Sequence, residues 1–172
     1  MTTASVLLIF SNPSTQWTPL TGSTAKSGFC TPDMVLLDGG GVVTISSKAS
    51  GTPYTYKGVS GYTAYPAANV TLVVAKGQSP TLVFNVVDST GKTNTYFLGG
   101  VALQNMASGG GAGGLSFPLT SVGVAADGTT TLSLQNNDQA KSGTTSTYDF
   151  WVLVQNSSGD LGLIDPLVTN SN

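Results

Sequence analysis

Few side chains in this sequence could carry out acid–base or nucleophilic chemistry. Every acidic residue is an aspartate, every basic residue is a lysine, and the only cysteine is Cys30. Histidine, the usual general acid or base near neutral pH, is absent, which excludes His-containing triads and zinc sites. Arginine is absent too, and six scattered lysines at a net charge of -2 cannot form the basic surface that nucleic acid requires. We therefore expect no nucleic-acid partner.

The aspartates are the remaining acid–base candidates, because glycosidases work with two carboxylates. Most of them lie in or beside predicted turns, where a carboxylate ordinarily caps the backbone, and Asp149 lies in a predicted strand. Residues 136–138 and Asp160 offer oxygen ligands for Ca²⁺, but without the spacing of an EF-hand. A serine–lysine nucleophile pair has no supporting motif. We therefore predict no catalytic residue, no metal site and no cofactor.

The low content of charged residues bears on association. Only 8% of the residues are charged, against roughly 25% in ordinary soluble domains, so Ser, Thr, Asn, Gln and Gly must cover most of the surface. The 40% of hydrophobic residues predicts a folded chain. A surface with so little charge lacks the repulsion that keeps proteins apart, which favours self-association. A neutral polar coat on a secreted protein is the other interpretation.

Five aromatic residues are candidates for stacking on a ligand or a partner: Trp17, Tyr54, Tyr56, Tyr62 and Tyr65. Exposed rings of this kind have a flat apolar face and a polar tip, which suits sugar rings and protein surfaces alike. Because tyrosine is also common in edge strands, ordinary packing is the alternative interpretation of the four tyrosines.

The elements that must position these residues are predicted to be strands. Residues 146–155 alternate, with Tyr148, Phe150, Val152 and Val154 on one side and Trp151 and Leu153 on the other. Since both faces are apolar, this pattern predicts a strand near the middle of the molecule that is covered on both sides. Residues 6–10 form another compact apolar run, which predicts a core strand.

Glycine-rich turns predict where the chain reverses. Residues 34–37 and 42–46 flank an Asp-Gly-Gly-Gly turn and predict a β-hairpin, and residues 88–91 predict a second one. Residues 16–32 predict a long loop with Trp17 and Phe29 as anchors, and residues 101–106 are a helical turn or a strand. Residues 108–114, five of them glycine, predict an exposed loop or a close contact with a neighbouring chain.

These short runs, separated by Gly, Pro, Asn and Asp, predict one all-β domain over residues 1–172. We expect an antiparallel β-sandwich, Ig-like or jelly-roll-like, with a closed β-barrel as the alternative. No apolar run approaches the roughly 18 residues of a membrane span, and residues 6–10 are too short for a signal peptide. We therefore expect a cytoplasmic protein, with an extracellular location left open. Cys30 has no partner for an intramolecular disulfide; we interpret it as a buried structural thiol, with an intermolecular disulfide as the alternative.

The second part of the chain, about residues 69–170, resembles a known family. The resemblance lies in the Asp-Gly-led strand at 127–134, the aromatic strand at 148–154 and the closing Ile-Asp-Pro-Leu-Val-Thr-Asn at 164–170. Together these segments resemble the small bacterial DP-EP proteins, named after such a terminal Asp-Pro, and more distantly the AidA/PixA inclusion-body proteins. The resemblance implies a compact β-sandwich of unassigned biochemical role, which in PixA-like members accumulates as intracellular protein bodies. By itself, Asp165-Pro166 predicts the end of a strand, because proline cannot donate to a ladder.

Two hypotheses for function follow. The first is a non-catalytic structural protein that associates with itself into a homo-oligomer or a larger, inclusion-body-like assembly through neutral surfaces and strand edges. The second is a carbohydrate-binding module that uses Trp17 and the four tyrosines as stacking platforms.

Overall fold

The computed structural model describes residues 2–20, 29–91, 96–104, 120–124, 130–135, 145–165 and 167–171. One short helix, α1, spans Pro13–Gln16, and a 3-10 turn spans Ala67–Asn69. The strands are β1 (Thr3–Phe10), β2 (Asp33–Asp38), β3 (Val43–Ser47), β4 (Thr52–Tyr56), β5 (Val59–Pro66), β6 (Val70–Val74), β7 (Thr81–Asp88), β8 (Tyr96–Gln104), β9 (Thr120–Val124), β10 (Thr130–Gln135), β11 (Thr145–Asn156), β12 (Leu161–Ile164) and β13 (Leu167–Ser171).

The described strands form two open sheets that share one core. The first sheet has the order β4-β5-β2-β1-β7-β10-β9. The second sheet has the order β12-β11-β13-β6-β3, and its sixth strand, β8, also pairs with β11. The core residues are Ala4, Val6, Leu8, Phe10, Met34, Leu82, Phe84, Val86 and Leu132 from the first sheet, with Val43, Val70, Leu72, Val74, Val152, Val154, Ile164 and Val168 from the second. The all-β sandwich prediction is therefore confirmed, and the alternative of a closed barrel is not what forms. The pairs are antiparallel except β1 with β7 and β13 with β6.

Among the strands whose side chains the structure describes, the one buried on both faces is β1. Its inward residues, such as Val6 and Phe10, are fully buried in the shared core, while Leu7 and Ile9 are buried in a second cluster on the outer face. From the sequence, we predicted that β11 would be the strand covered on both faces. Although β11 lies between β8 and β12/β13 as an interior strand, Trp151 and Leu153 on its outer face are only half-buried. The prediction fails because it reads apolar alternation as burial, whereas a strand can leave an apolar face partly open.

Neither of the two predicted hairpins forms, although the chain turns at both predicted positions. Gly40 and Gly41 adopt the predicted positive φ angles, 58° and 74°, but β2 belongs to the first sheet and β3 to the second. Likewise β7 and β8 belong to different sheets. Turn residues determine that the chain reverses. They do not determine whether the two strands then pair by hydrogen bonds or pack face to face across the core.

The hairpin of β4 and β5 was not predicted from the sequence. Lys57 and Gly58 have φ angles of 49° and 80° between the paired residues Tyr56 and Val59, as the positive-φ turn of a two-residue hairpin requires. Residues 101–104 belong to β8, so the strand alternative holds there. The predicted loops and turns at 108–114, 127–128 and 136–144 lie outside the described residues.

β12 ends at Ile164, as Asp165-Pro166 predicts, but it is not the last strand, because β13 follows it. Ile164 lies opposite Val152, and Leu167 lies opposite Asp149, three residues further along each strand. Pairing with β11 therefore resumes in the same register after Asp165. Proline removes one donor from a ladder without preventing the next residues from pairing.

Candidate functional site

Trp17 lies directly after α1 and is anchored by polar contacts of its neighbours. The Ser11 hydroxyl donates to the Asp33 carboxylate over 3.0 Å, and the Gln16 side chain donates to the same oxygen over 3.4 Å. The backbone N–H of Thr31 donates to the carbonyl of Gln16 over 2.8 Å. These bonds hold the end of α1 against β2, so the indole ring points into the sandwich as the predicted loop anchor.

The indole ring is part of an aromatic group in the core. Its centroid lies 5.3 Å from that of Phe10 and 5.7 Å from that of Tyr96, and the Phe10 and Tyr96 rings stack at 4.6 Å. The Trp17 Nε1 atom is buried and has no hydrogen-bond partner among the described residues. Burial raises the pKa of Tyr96, and the nearby Asp88 and Cys30 add to this rise. The ring of Trp17 is therefore used for packing, with its polar tip enclosed.

Three of the four tyrosines cover the outer face of the first sheet. Tyr54, Tyr56 and Tyr62 pack on an outer cluster that consists of Leu7, Ile9, Val35, Ala64 and Val87. Burial raises the pKa of Tyr54, with smaller contributions from Tyr56 and Asp88. The Lys57 ammonium lies 5.3 Å from the centre of the Tyr56 ring, a cation–π distance. Tyr65 faces the other way and packs on the shared core. The structure thus brings three of the five predicted stacking residues together, and it places Trp17 and Tyr65 elsewhere.

Cys30 is a buried free thiol, as predicted. Its Sγ atom donates to the carbonyl of Thr18 and accepts from the N–H of Thr18, both over 3.3 Å. Burial raises the pKa of the Cys30 thiol, and hydrogen bonds from the backbone of Thr18 and Leu163 oppose this rise less strongly. Because the thiolate is the reactive form, this thiol is a poor nucleophile and a poor partner for an intermolecular disulfide.

The outward edge of β12 is covered by residues 17–20 and 29–31, which we call the covering segment. The bond from Asn156 N to Asp160 O begins the β11–β12 ladder, and alternation along that ladder turns Leu161 and Leu163 away from β11. Their carbonyl oxygens accept from Leu20 N over 2.7 Å and from Cys30 N over 2.6 Å. The edge of β12 is therefore already paired.

Gly162 allows this cover to lie close to β12. A Cβ atom at this position would lie 2.6 Å from Cys30 Sγ and 3.1 Å from Trp17 Cη2, both too close for ordinary contact. Three of the four large hydrophobic residues that remain exposed in the described residues also lie here: Leu20, Phe29 and Leu161. The Phe29 ring lies 5.7 Å from that of Trp151 on the outer face of β11. The covered edge is thus bordered by apolar side chains.

Within the residues that the structure describes, the edge of β3 is open. The bonds from Ala75 N to Val42 O and from Lys48 N to Asn69 O lie at the two ends of the β3–β6 ladder, in register with all five pairs between them. In an antiparallel ladder only every second residue bonds to the partner strand, so Thr44 and Ser46 bond to β6. The N–H and C=O groups of Ile45 and Ser47 therefore point away from the sheet. No backbone bond within the described residues reaches them.

The other edge strands share the absence of charge. Among the described residues β3, β4, β8 and β9 each pair with a single strand, and none of the four contains a Lys or an Asp. β4 carries Pro53 and an irregular register with β5 between Tyr54 and Tyr56, two features that hinder pairing with another strand. β3 has neither feature and a regular ladder, which makes it an edge suited to accept a further strand.

Two of the described aspartates, Asp38 and Asp88, cap turns, as the sequence predicted. The Asp38 carboxylate accepts from Gly40 N over 2.8 Å, and that of Asp88 accepts from Thr90 N over 2.8 Å. The Asp160 carboxylate accepts from the Asn156 side chain over 3.2 Å. Within the described ranges no three His, Cys, Asp or Glu side chains come together as metal ligands would. Residues 136–138 lie outside those ranges. None of the described helices is long and apolar enough to cross a membrane.

No model of a known protein family matches this chain, and no curated protein matches it either. The resemblance to the DP-EP and AidA/PixA proteins therefore stays a prediction. Sequence reasoning identified the Trp17 anchor and the thiol but missed the difference between the covered and the open edge. The alternation of Thr44 and Ser46 with Val43 and Ile45 was visible. The strand order, which makes β3 an edge, was not.

Proposed function

We propose that this protein is a non-catalytic structural protein whose copies associate with one another through strand edges. The observation that supports this proposal is that the four edge strands β3, β4, β8 and β9 of the described sheets contain no charged residue. Natural sheets commonly protect their edges with lysine, because unpaired N–H and C=O groups otherwise pair with another chain. Where this protection is missing, edge-to-edge association is the expected behaviour.

The surface charge supports the same proposal. With six lysines and eight aspartates, the net charge of -2 provides little long-range repulsion between copies. Association then needs to overcome only the loss of translational and rotational freedom and the desolvation of neutral polar groups. The resemblance to inclusion-body proteins is consistent with such an assembly and extends it, as a proposal, to larger bodies inside cells.

The non-catalytic part of the proposal rests on side-chain chemistry. The chain has no histidine to transfer protons near neutral pH. Its only thiol is buried with a raised pKa, which keeps it in the unreactive protonated form. The described carboxylates of Asp38, Asp88 and Asp160 are engaged in turns. These groups serve the fold, so we assign the protein a role in assembly.

Sedimentation velocity over a wide range of protein concentration tests the proposal. We expect the mean sedimentation coefficient to rise with concentration and to depend little on salt, because the proposed contacts are uncharged. A monomer at every concentration, up to the solubility limit, would contradict self-association.

Carbohydrate binding is the competing function, and the same preparation can test it on immobilised polysaccharides. Trp17 and Tyr65 pack on the shared core, while Tyr54, Tyr56 and Tyr62 are half-buried on the outer cluster. We therefore expect no retention on the polysaccharide column. A retained monomer whose retention is lost in Tyr56→Ala and Tyr62→Ala would replace our proposal with a carbohydrate-binding module.

A further inference from the structure

We infer that two copies of this chain join through β3, antiparallel to each other, with the two-fold axis beside Ser46. This inference rests on the proposed function and names the interface through which the proposed association takes place. Among protein segments, an extended strand is the one that can pair with the whole outward row of backbone groups on β3, because these groups have the spacing of a β-ladder. The occupant is a second copy of β3 because the strand is complementary to itself, as its backbone and side chains show.

The backbone groups select the register. Ile45 and Ser47 each present an outward N–H and an outward C=O. Val43 also points outward, but its N–H already donates to Gly39 O over 2.9 Å, and its carbonyl oxygen lies against Gly39. Pairing Ile45 with the partner's Ser47, and Ser47 with the partner's Ile45, uses all the open groups of both copies and avoids Val43.

The side chains are compatible with this register. Ser46, which is exposed, lies opposite the partner's Ser46 on the outer face, and Thr44 lies opposite the partner's Lys48. Lys48 therefore faces a hydroxyl group instead of another lysine. On the inner face, the half-buried Ile45 lies beside the partner's Ser47. Pairing brings no two like charges together and extends the six-stranded sheet across both copies.

The sharpest test is disulfide trapping with Ser46→Cys. In this register the two copies of residue 46 form a pair without mutual hydrogen bonds, with Cα atoms about 4.5 Å apart, which is within the range that a disulfide spans. We expect a covalent dimer on mild oxidation. Thr44→Cys is the matched control on the same exposed face. The two copies of residue 44 would lie four residues apart along the ladder, about 14 Å, so they should not cross-link.

Ile45→Pro tests the same interface without a cross-linking reaction. The Ile45 N–H points away from β6, so proline removes a donor to the partner and leaves the β3–β6 bonds intact. At concentrations where the unmodified chain is associated, we expect Ile45→Pro to be folded. It should sediment as a monomer or as an assembly smaller than that of the unmodified chain. Circular dichroism confirms the fold; if Ile45→Pro does not fold, the comparison of the two cysteine variants decides.

The outcomes separate the two proposals. If the unmodified chain associates but Ser46→Cys cross-links no better than Thr44→Cys, the proposed β3–β3 interface is overturned and the proposal of self-association stands. If the unmodified chain stays monomeric and Ser46→Cys does not cross-link, both proposals are overturned. Selective cross-linking of Ser46→Cys together with a smaller Ile45→Pro species supports both.

Discussion

Two edge strands of the six-stranded sheet, β12 and β3, differ in what meets their outward backbone groups. The carbonyl oxygens of Leu161 and Leu163 accept from Leu20 and Cys30, whereas the corresponding groups of Ile45 and Ser47 have no backbone partner in the described residues. The covered strand is apolar, Leu-Gly-Leu-Ile, while β3 exposes Thr44 and Ser46. Leaving an apolar edge open costs more than leaving a polar one open, since water can solvate hydroxyl groups and the adjacent backbone. The chain covers the edge where exposure is costlier.

The largest effect on this comparison should come from Trp17→Ala, which removes the ring that holds the covering segment on Phe10 and Tyr96. We expect a loss of about 3 kcal/mol in the free energy of unfolding, at the low end for a large-to-small aromatic change because a buried unpaired N–H is removed as well. Urea unfolding measures this loss. The exposed β12 edge should also increase association and make Cys30 accessible to thiol reagents.

Trp17→Phe is the control for that variant. It keeps an aromatic ring in the site and removes the Nε1 donor, which has no partner among the described residues. We expect a change within about 1 kcal/mol and no labelling of Cys30. A Trp17→Ala protein as stable as the unmodified chain would show that the cover contributes little to the covered edge.

Gly162→Ala should have the next largest effect, because the added methyl group would collide with Cys30 Sγ and the Trp17 ring. We expect a loss of about 2 kcal/mol, typical of overpacking, again measured by urea unfolding. The double variant Gly162→Ala with Cys30→Ala provides the matched test. If the collision is with the sulfur, the second change should restore part of the lost stability, and strictly additive losses would contradict this contact.

The smallest effect concerns alkaline pH. Burial raises the pKa values of Cys30 and Tyr96 in the folded protein above their ordinary values of about 8.5 and about 10. A group whose folded pKa is raised stabilises the fold below its unfolded pKa, and this stability is lost as the pH rises through the folded pKa. We therefore expect the free energy of unfolding to be flat between about pH 6 and pH 8, where no side chain of this histidine-free chain ordinarily titrates, and to fall above about pH 9.

The double variant Cys30→Ala with Tyr96→Phe is the control for the pH dependence. It removes both ionisable groups beside the covered edge and keeps the ring that stacks on Phe10. Its unfolding free energy should fall less steeply above about pH 9. An unchanged slope would assign the alkaline loss to other groups, of which the half-buried Tyr54 is the first to examine.

Alternation of apolar and polar residues was enough to predict most strands. Leu82, Phe84 and Val86 are buried on one face of β7, as their period of two predicts, and Leu132 in β10 is buried as well. Trp17 was predictable as an anchor because it is an isolated large aromatic in a polar stretch, whereas Phe29, for which the same pattern predicted an anchor, stays exposed. Local patterns of this kind are readable because they depend on neighbours in the chain.

Partners distant in sequence were not predictable. The turn at Gly40 and Gly41 looks like a hairpin turn, yet β3 pairs with β6, and β1 pairs in parallel with β7. Nothing local to Leu20 or Cys30 indicates that their N–H groups bond to β12. The covered and open edges follow from these long-range pairings and were hidden from the sequence for that reason.

The amino-acid sequence alone determined that this is a folded all-β protein with little charge and no histidine, because composition and a period of two are local properties. The tertiary structure decided which strand is buried on both faces, which edge is covered and which is open. These features depend on which strands meet across the sandwich, and that choice is made by the packing of the shared core as a whole.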